Sequence, residues 1–184
     1  MQVRRSKKIY ALTMTAAAAA ALCVLSPWAV PFGPIPLSLC TLFLYLAGWV
    51  LGPKRAVAAT AVYVLVGTAG LPVFSGFMGG LGHLAGPTGG YIAGYLPLTA
   101  VCALFVREFP ARRWMYLAGM VLGTAVLYTM GTVWFCFQTG TGPVQALVVC
   151  VLPFLPGDLV KMLAALLLGP ALRDRLERAG LLYE

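Results

Sequence analysis

Long apolar runs alternate with short polar breaks along this chain, and charged residues gather almost entirely in the breaks. A hydrocarbon core of about 30 Å needs about 20 predominantly apolar residues in helical form to cross it. The runs predict six crossings, at about residues 9–28, 35–52, 56–71, 91–106, 114–137 and 144–172, the last broken at 153–157 by Pro153 and Pro156. Between them lie an uncharged linker with Pro31, Gly33, Pro34 and Pro36, the turn Gly52-Pro53-Lys54-Arg55, and the loop from Arg107 to Arg113. A glycine-rich segment, Pro72 to Gly90, separates the third and fourth runs, and a charged tail from Arg173 to Glu184 closes the chain at the membrane surface.

Composition turns this pattern into a class. Of 184 residues, 61% are hydrophobic and 10% charged, against roughly 25% charged in a soluble domain. The expectation is one all-α transmembrane domain over residues 1–184. The opening Arg4-Arg5-Ser6-Lys7-Lys8 before an apolar run also describes a signal peptide. The run is long enough to span, however, and five more follow, so a retained first helix is expected. The five cysteines are scattered with no Cys-x-x-Cys pair, and there is one histidine, so no metal is expected.

The formal charge of +8 could suggest nucleic acid, but the basic residues form short clusters between apolar runs, which marks topology. Four lie before the first run, two in the second linker, three in the fourth and three in the tail; Lys161 is the thirteenth. The alternate linkers hold none. By the positive-inside rule both ends face the cytoplasm and the glycine-rich segment lies outside. No nucleic-acid partner is expected, and the lipid bilayer is the immediate surrounding.

Asp158 and Lys161 are the exception to this segregation, being the charged residues inside an apolar run. An ionisable residue at membrane depth costs at least about 2.5–3.5 kcal/mol on insertion scales and marks a functional site by default. With an inner edge near Gly169, Asp158 sits about 16 Å and Lys161 about 12 Å above it at 1.5 Å per residue. The i, i+3 spacing puts both on one helix face. An acid just after a proline at a helix start meets the positive end of the dipole, and broken helices of this kind build solute sites in transporters. The pair can bind a polar solute, Asp158 accepting N–H groups and Lys161 meeting a carboxylate. It can also be an internal ion pair that only seats the sixth helix.

The other motifs limit the choices. The run Gly79 to Gly90 lacks the Gly-Lys-Ser/Thr of a phosphate loop and misses the dinucleotide spacing, so no ATPase is visible. Its glycines suit a lid or re-entrant loop, or a plain external linker. GxxxG pairs at Gly48/Gly52, Gly90/Gly94 and Gly119/Gly123 permit close helix approach within the chain. Ala16 to Ala21 put small residues four apart on the first helix, for a partner or for internal packing. No catalytic grouping is present, and an enzyme is not expected.

Four stretches carry a resemblance: Gly33-Pro34-Ile35-Pro36-Leu37, Leu71-Pro72-Val73-Phe74-Ser75-Gly76, Gly86-Pro87-Thr88-Gly89-Gly90-Tyr91, and Leu155-Pro156-Gly157-Asp158-x-x-Lys161. In this order, over about residues 33–169, they resemble the BioY family, the biotin-specific substrate-binding (S) components of energy-coupling-factor (ECF) transporters. The resemblance implies a six-helix S component that binds biotin from outside, as transported ligand and not as cofactor. It also implies a transmembrane coupling protein carrying two ATP-binding subunits, contacted through small residues of the first helix, here Ala16, Ala17, Ala20 and Ala21. Carried over by motif, Asp158 and Lys161 are polar anchors, Thr88, Gly89, Gly90 and Tyr91 form the flanking loop, and Phe74 and Tyr91 offer apolar walls. Cys40 stands where family members often have Gln, which puts a polar contact there in doubt, since a thiol hydrogen-bonds weakly. Phe77 and Met78 replace a smaller pair in the lid.

The expected function is biotin capture and uptake across the cytoplasmic membrane, driven by an energised partner. Two other classes stay open: a proton-coupled or facilitative carrier using Asp158 as a relay, and an intramembrane enzyme.

Overall fold

The computed structural model describes residues 2–30, 35–110 and 112–180. Pro31, Gly33 and Pro34 of the first linker and motif, Ala111 of the fourth linker, and tail residues 181–184 lie outside the described residues. In chain order the elements are α1 (Gln2–Leu25), β1 (Ala29–Val30), β2 (Leu37–Ser38), α2 (Cys40–Thr68), α3 (Leu81–Ala85), α4 (Gly89–Glu108), α5 (Arg113–Thr139), α6 (Pro143–Cys150) and α7 (Leu155–Arg178). Among the described residues, α2, α4, α5 and α7 are long and apolar enough to cross a membrane, and α1 contributes a shorter apolar stretch, Ile9–Leu25.

The second and third expected spans form the single element α2, yet it does not run straight. Gly52 has φ 72° and ψ 171°, immediately before Pro53. A left-handed φ is open to glycine at little cost, and Pro53 has no N–H to continue the ladder. The outcome is visible in Cys40 and Tyr63, whose Sγ and hydroxyl oxygen lie 3.8 Å apart. In a straight helix these 23 positions would span about 35 Å. The element therefore folds back at Gly52, and Cys40–Leu51 and Pro53–Thr68 run beside each other as two arms.

Several boundaries shift from expectation. The first helix stops at Leu25, and the proline-rich linker is entered and left by a two-stranded antiparallel ribbon pairing Ala29 with Ser38 and Val30 with Leu37. The break in the last span falls at residues 151–154 rather than 153–157, because Pro156 is accommodated in the first turn of α7, where its missing N–H costs nothing. At the other end α7 continues to Arg178, past the expected 172, so part of the charged tail extends that helix.

Two apolar clusters hold the bundle. The larger runs through α2, α4, α5, α6 and α7 around Leu44, Tyr63, Leu98, Met120 and Ala165, all 0% exposed. The smaller joins α1, α2 and α4 through Ala19, Ala47, Leu51, Ala56, Ala59 and Ala103. The expected glycine pairs divide by use. Added Cβ atoms at Gly94 and Gly119 would stand 2.8 Å from Leu127 Cδ1 and 2.6 Å from Phe105 Cβ, so these glycines set the approach of α4 and α5. A Cβ on Gly48 would stand 3.4 Å from Ala103 N of α4, an ordinary contact, whereas Gly52 makes the bend.

The glycine-rich segment between α2 and α4 is folded: it contains α3 and a bridge between Phe74 and Met78. Gly76 N–H donates to Pro27 O at 2.9 Å, and Gly80 N–H to Gly67 O at 2.7 Å. From α5, Trp134 Nε1 donates to Gly86 O at 2.8 Å and Gln138 Nε2 to Ala85 O at 2.6 Å. Trp28, just before the ribbon, meets Phe77 edge-on at 5.7 Å.

Candidate functional site

Asp158 lies in the first turn of α7, with Lys161 one turn further on, and both are buried, at 5% and 8% exposure. Lys161 Nζ is 2.9 Å from Asp158 Oδ1. Thr41, at the start of α2, joins them: it accepts from Lys161 Nζ at 3.1 Å and donates to Asp158 Oδ1 at 3.4 Å. From α5 the Tyr128 hydroxyl donates to Asp158 Oδ2. Helix starts from two different parts of the chain thus meet here, and the dipole of α7 favours the acid placed in its first turn.

Counting donors and acceptors defines what this group can still do. A carboxylate offers about four acceptor sites and an ammonium three donors. Oδ1 receives Lys161 and Thr41, and Oδ2 receives Tyr128; Lys161 gives one N–H to Asp158 and one to Thr41. One acceptor site on Oδ2 and one N–H on Lys161 remain. The ion pair is real, and it is also unsaturated, so seating the helix and binding a solute are compatible roles.

A cavity of about 50 Å³ opens onto the pair, walled by Ile35, Tyr91, Tyr95, Leu127, Phe154 and their neighbours. A second, of about 30 Å³, lies under the glycine-rich segment between Phe74, His83, Thr88, Tyr63 and Tyr95. Ile35, Tyr91 and Tyr95 line both. Small-molecule sites run to roughly 300–1,000 Å³, so neither cavity alone holds such a ligand, and these three side chains stand between the two.

The expected residues separate accordingly. Asp158, Lys161 and Tyr91 line the deeper cavity, and Phe74, Thr88 and Tyr91 the outer one. Phe74 is 1% exposed and stacks on His83 at 5.7 Å. Thr88 Oγ1 lies 3.2 Å from His83 Nε2, and burial holds that imidazole below its ordinary value. Gly89 and Gly90 line neither cavity. A Cβ on Gly89 would meet Leu84 O at 1.7 Å, and one on Gly90 Trp134 Cβ at 2.3 Å, so both serve close packing. Cys40 is 0% exposed and lines neither cavity itself; its thiol donates to the hydroxyl of Tyr63, which lines the second one. Ala16, Ala17, Ala20 and Ala21 are exposed on α1, while Ala19 packs inward.

Sequence reasoning missed Ser38, Thr41, Tyr95 and Tyr128. A hydroxyl inside an apolar run is a weak signal, and nothing in the spacing links residues 41 and 128 to 158. Their convergence depends on how three helices pack.

A family profile described as the BioY family matches residues 1–178. A biotin transporter BioY of Thermotoga maritima is 38% identical over 154 residues, covering 83% of this chain and 90% of that protein. A probable biotin transporter BioY of Pyrococcus horikoshii is 38% identical over 144 residues, covering 78% and 84%. Biotin transporter BioY2 of Lactococcus lactis is 31% identical over 168 residues, covering 91% and 92%. Among solved structures, the S-component for biotin from an ECF-type ABC transporter superposes with TM-score 0.84 at 26% identity, covering 92% of this chain and 93% of that one.

Proposed function

The chain belongs to the BioY family, and from that premise we propose that it captures biotin and carries it into the cell as the substrate-specific component of an ECF-type transporter. It is a multi-pass membrane protein of a transporter family, not an enzyme family. The observation that carries the reading is the buried, unsaturated Asp158–Lys161 pair, next to a cavity that shares Ile35, Tyr91 and Tyr95 with the one under the glycine-rich segment.

Biotin suits that site chemically. Its ureido ring carries adjacent N–H and C=O groups, and these match the remaining acceptor of Asp158 and the remaining N–H of Lys161. Because Nζ and Oδ1 are only 2.9 Å apart, one end of the solute engages both. A division in which Asp158 takes the ring and Lys161 the distant valerate carboxylate is therefore set aside. The bicycle would lie against Tyr91, Tyr95 and Phe154, and the tail would run toward Thr88 and Phe74. Entry requires the Ile35–Tyr91–Tyr95 wall to move, which joins the two cavities. Gly89 and Gly90 would support the loop by packing, and Cys40 would act through the Tyr63 hydroxyl that it bonds.

The topology belongs to this reading: one transmembrane domain of six crossings, both ends in the cytoplasm. The two arms of α2 count as crossings two and three, and α6 with α7 as the sixth. Support comes from the alternation of basic and uncharged linkers. No nucleotide motif is present in the sequence, so an ATP-driven coupling module would supply the energy, docking on the exposed Ala16, Ala17, Ala20 and Ala21. Purified protein should retain one biotin, identified by mass spectrometry of co-purifying small molecules and confirmed by saturable binding. Absence of saturable binding overturns the substrate. Uptake driven by a pH gradient without nucleotide would point instead to a proton-coupled carrier.

A further inference from the structure

A cavity far larger than those at the polar pair lies elsewhere among the described residues. A cavity of about 650 Å³ opens where α2 bends, between the bend, the C-terminal end of α4 and the last turns of α7. Arg173, which lines it, lies about 22 Å further along α7 than Asp158 at 1.5 Å per residue, so this is a separate place. Its wall is apolar, from Val50, Leu51, Ala103 and Val106. Its rim carries Lys54, Arg55, Arg107 and Arg173 against one carboxylate, Glu177.

Acidic partners among the described residues offset this charge only in part. Glu177 is engaged by Arg173 at 2.7 Å. Arg107 meets Glu108 at 3.4 Å, but both side chains are more than half exposed, and such a pair holds weakly in water. Lys54 and Arg55 have no ion pair among the described residues, and they occupy the first turn of the returning arm of α2, whose dipole repels cations. A neighbouring cavity of about 310 Å³ shares Val106, Pro110 and Arg173 and adds Arg112 and Arg113 against Asp174. Surplus positive charge above an apolar wall at a membrane edge complements a phosphate attached to hydrocarbon.

We propose that this cavity binds the phosphate headgroup of an anionic phospholipid, with Lys54, Arg55 and Arg107 meeting the phosphate and Leu51, Ala103 and Val106 receiving the start of an acyl chain. Basic pockets between membrane helices take anionic headgroups in this way. The apolar wall favours a lipid over free phosphate, and the site operates independently of the transported solute.

The test uses the full chain in neutral detergent, titrated separately with phosphatidylglycerol, phosphatidylcholine of the same acyl chains, and inorganic phosphate, with bound molecules counted by native mass spectrometry. The expected result is one saturable phosphatidylglycerol, bound at least tenfold more tightly than phosphatidylcholine, weakened by added salt and weakened at least tenfold in the double variant Lys54→Gln, Arg55→Gln. Retained helicity and melting temperature show that the variant folds; if it does not, Lys54→Gln alone, at an exposed position, should still lower affinity severalfold. Equal affinity for the two lipids, or equal phosphatidylglycerol affinity in wild type and folded variant, overturns the proposal. Binding of inorganic phosphate as tightly as the lipid, with full displacement of it, overturns the lipid assignment.

Discussion

Lys161 Nζ lies 2.9 Å from Asp158 Oδ1, and neither residue depends on the other alone: Thr41 bridges the two, and Tyr128 holds the second carboxylate oxygen. Breaking a buried pair from one side leaves an uncompensated charge, at about 3–5 kcal/mol. Asp158→Ala is expected to weaken biotin binding by well over tenfold, measured by titration calorimetry on the purified protein. Asp158→Asn, which keeps the shape, separates lost binding from lost folding. Unchanged affinity in both would sink the assigned site.

Tyr128→Phe removes only the hydroxyl that orients Oδ2. Hydrogen bonds to charged groups contribute about 1.5–3 kcal/mol to stability, so the melting temperature should fall, and biotin affinity should drop several-fold because Oδ2 is no longer oriented. An affinity equal to wild type would show that Oδ2 is not the atom the solute meets.

Gly90→Ala tests packing against lining. The new Cβ would meet Trp134 Cβ at 2.3 Å and Met130 O at 2.8 Å, and overpacking of this kind costs about 1–3 kcal/mol. The melting temperature should fall, while the folded fraction keeps its biotin affinity within a few-fold. Normal stability with lost binding would return Gly90 to the ligand wall.

His83 is expected to make the glycine-rich segment sensitive to acid. Burial lowers its pKa from 6.5, and no carboxylate is among the residues lining its cavity. Above 6.5 the ring is neutral whether the loop is closed or open. As the pH falls below 6.5 the open form takes up the proton first, so the closed form loses stability until its own lower pKa is passed. Biotin release, followed by radiolabel dissociation, should quicken from pH 7 to pH 5.5 and flatten in His83→Gln. The same profile in both proteins would clear His83 of the effect.

Substituting leucine for Ala16 and Ala20 on the exposed face of α1 should leave biotin affinity within about twofold and abolish ATP-driven uptake and co-purification with a coupling protein, the close approach of helices being lost. Normal coupled uptake would place the partner elsewhere.

Much of this was legible in one dimension. The apolar runs, the bend at Gly52-Pro53 and the isolation of Asp158 and Lys161 are consequences of what a bilayer tolerates, and that constraint acts residue by residue. Gly89 and Gly90 pack so close to Leu84 and Trp134 that neither has room for a side chain, and the sequence cannot show this because a small residue admits either a ligand or a neighbouring helix.

By itself the sequence determined the membrane class, the family, and the place along the chain where charge is buried, since each follows from local composition or motif. Only the tertiary structure decided which hydroxyls complete the pair, that Cys40 faces Tyr63, and that a basic cavity stands at the opposite end of α7. Those depend on α2 folding back and on the packing of α4 and α5, distances between residues that are far apart in the chain.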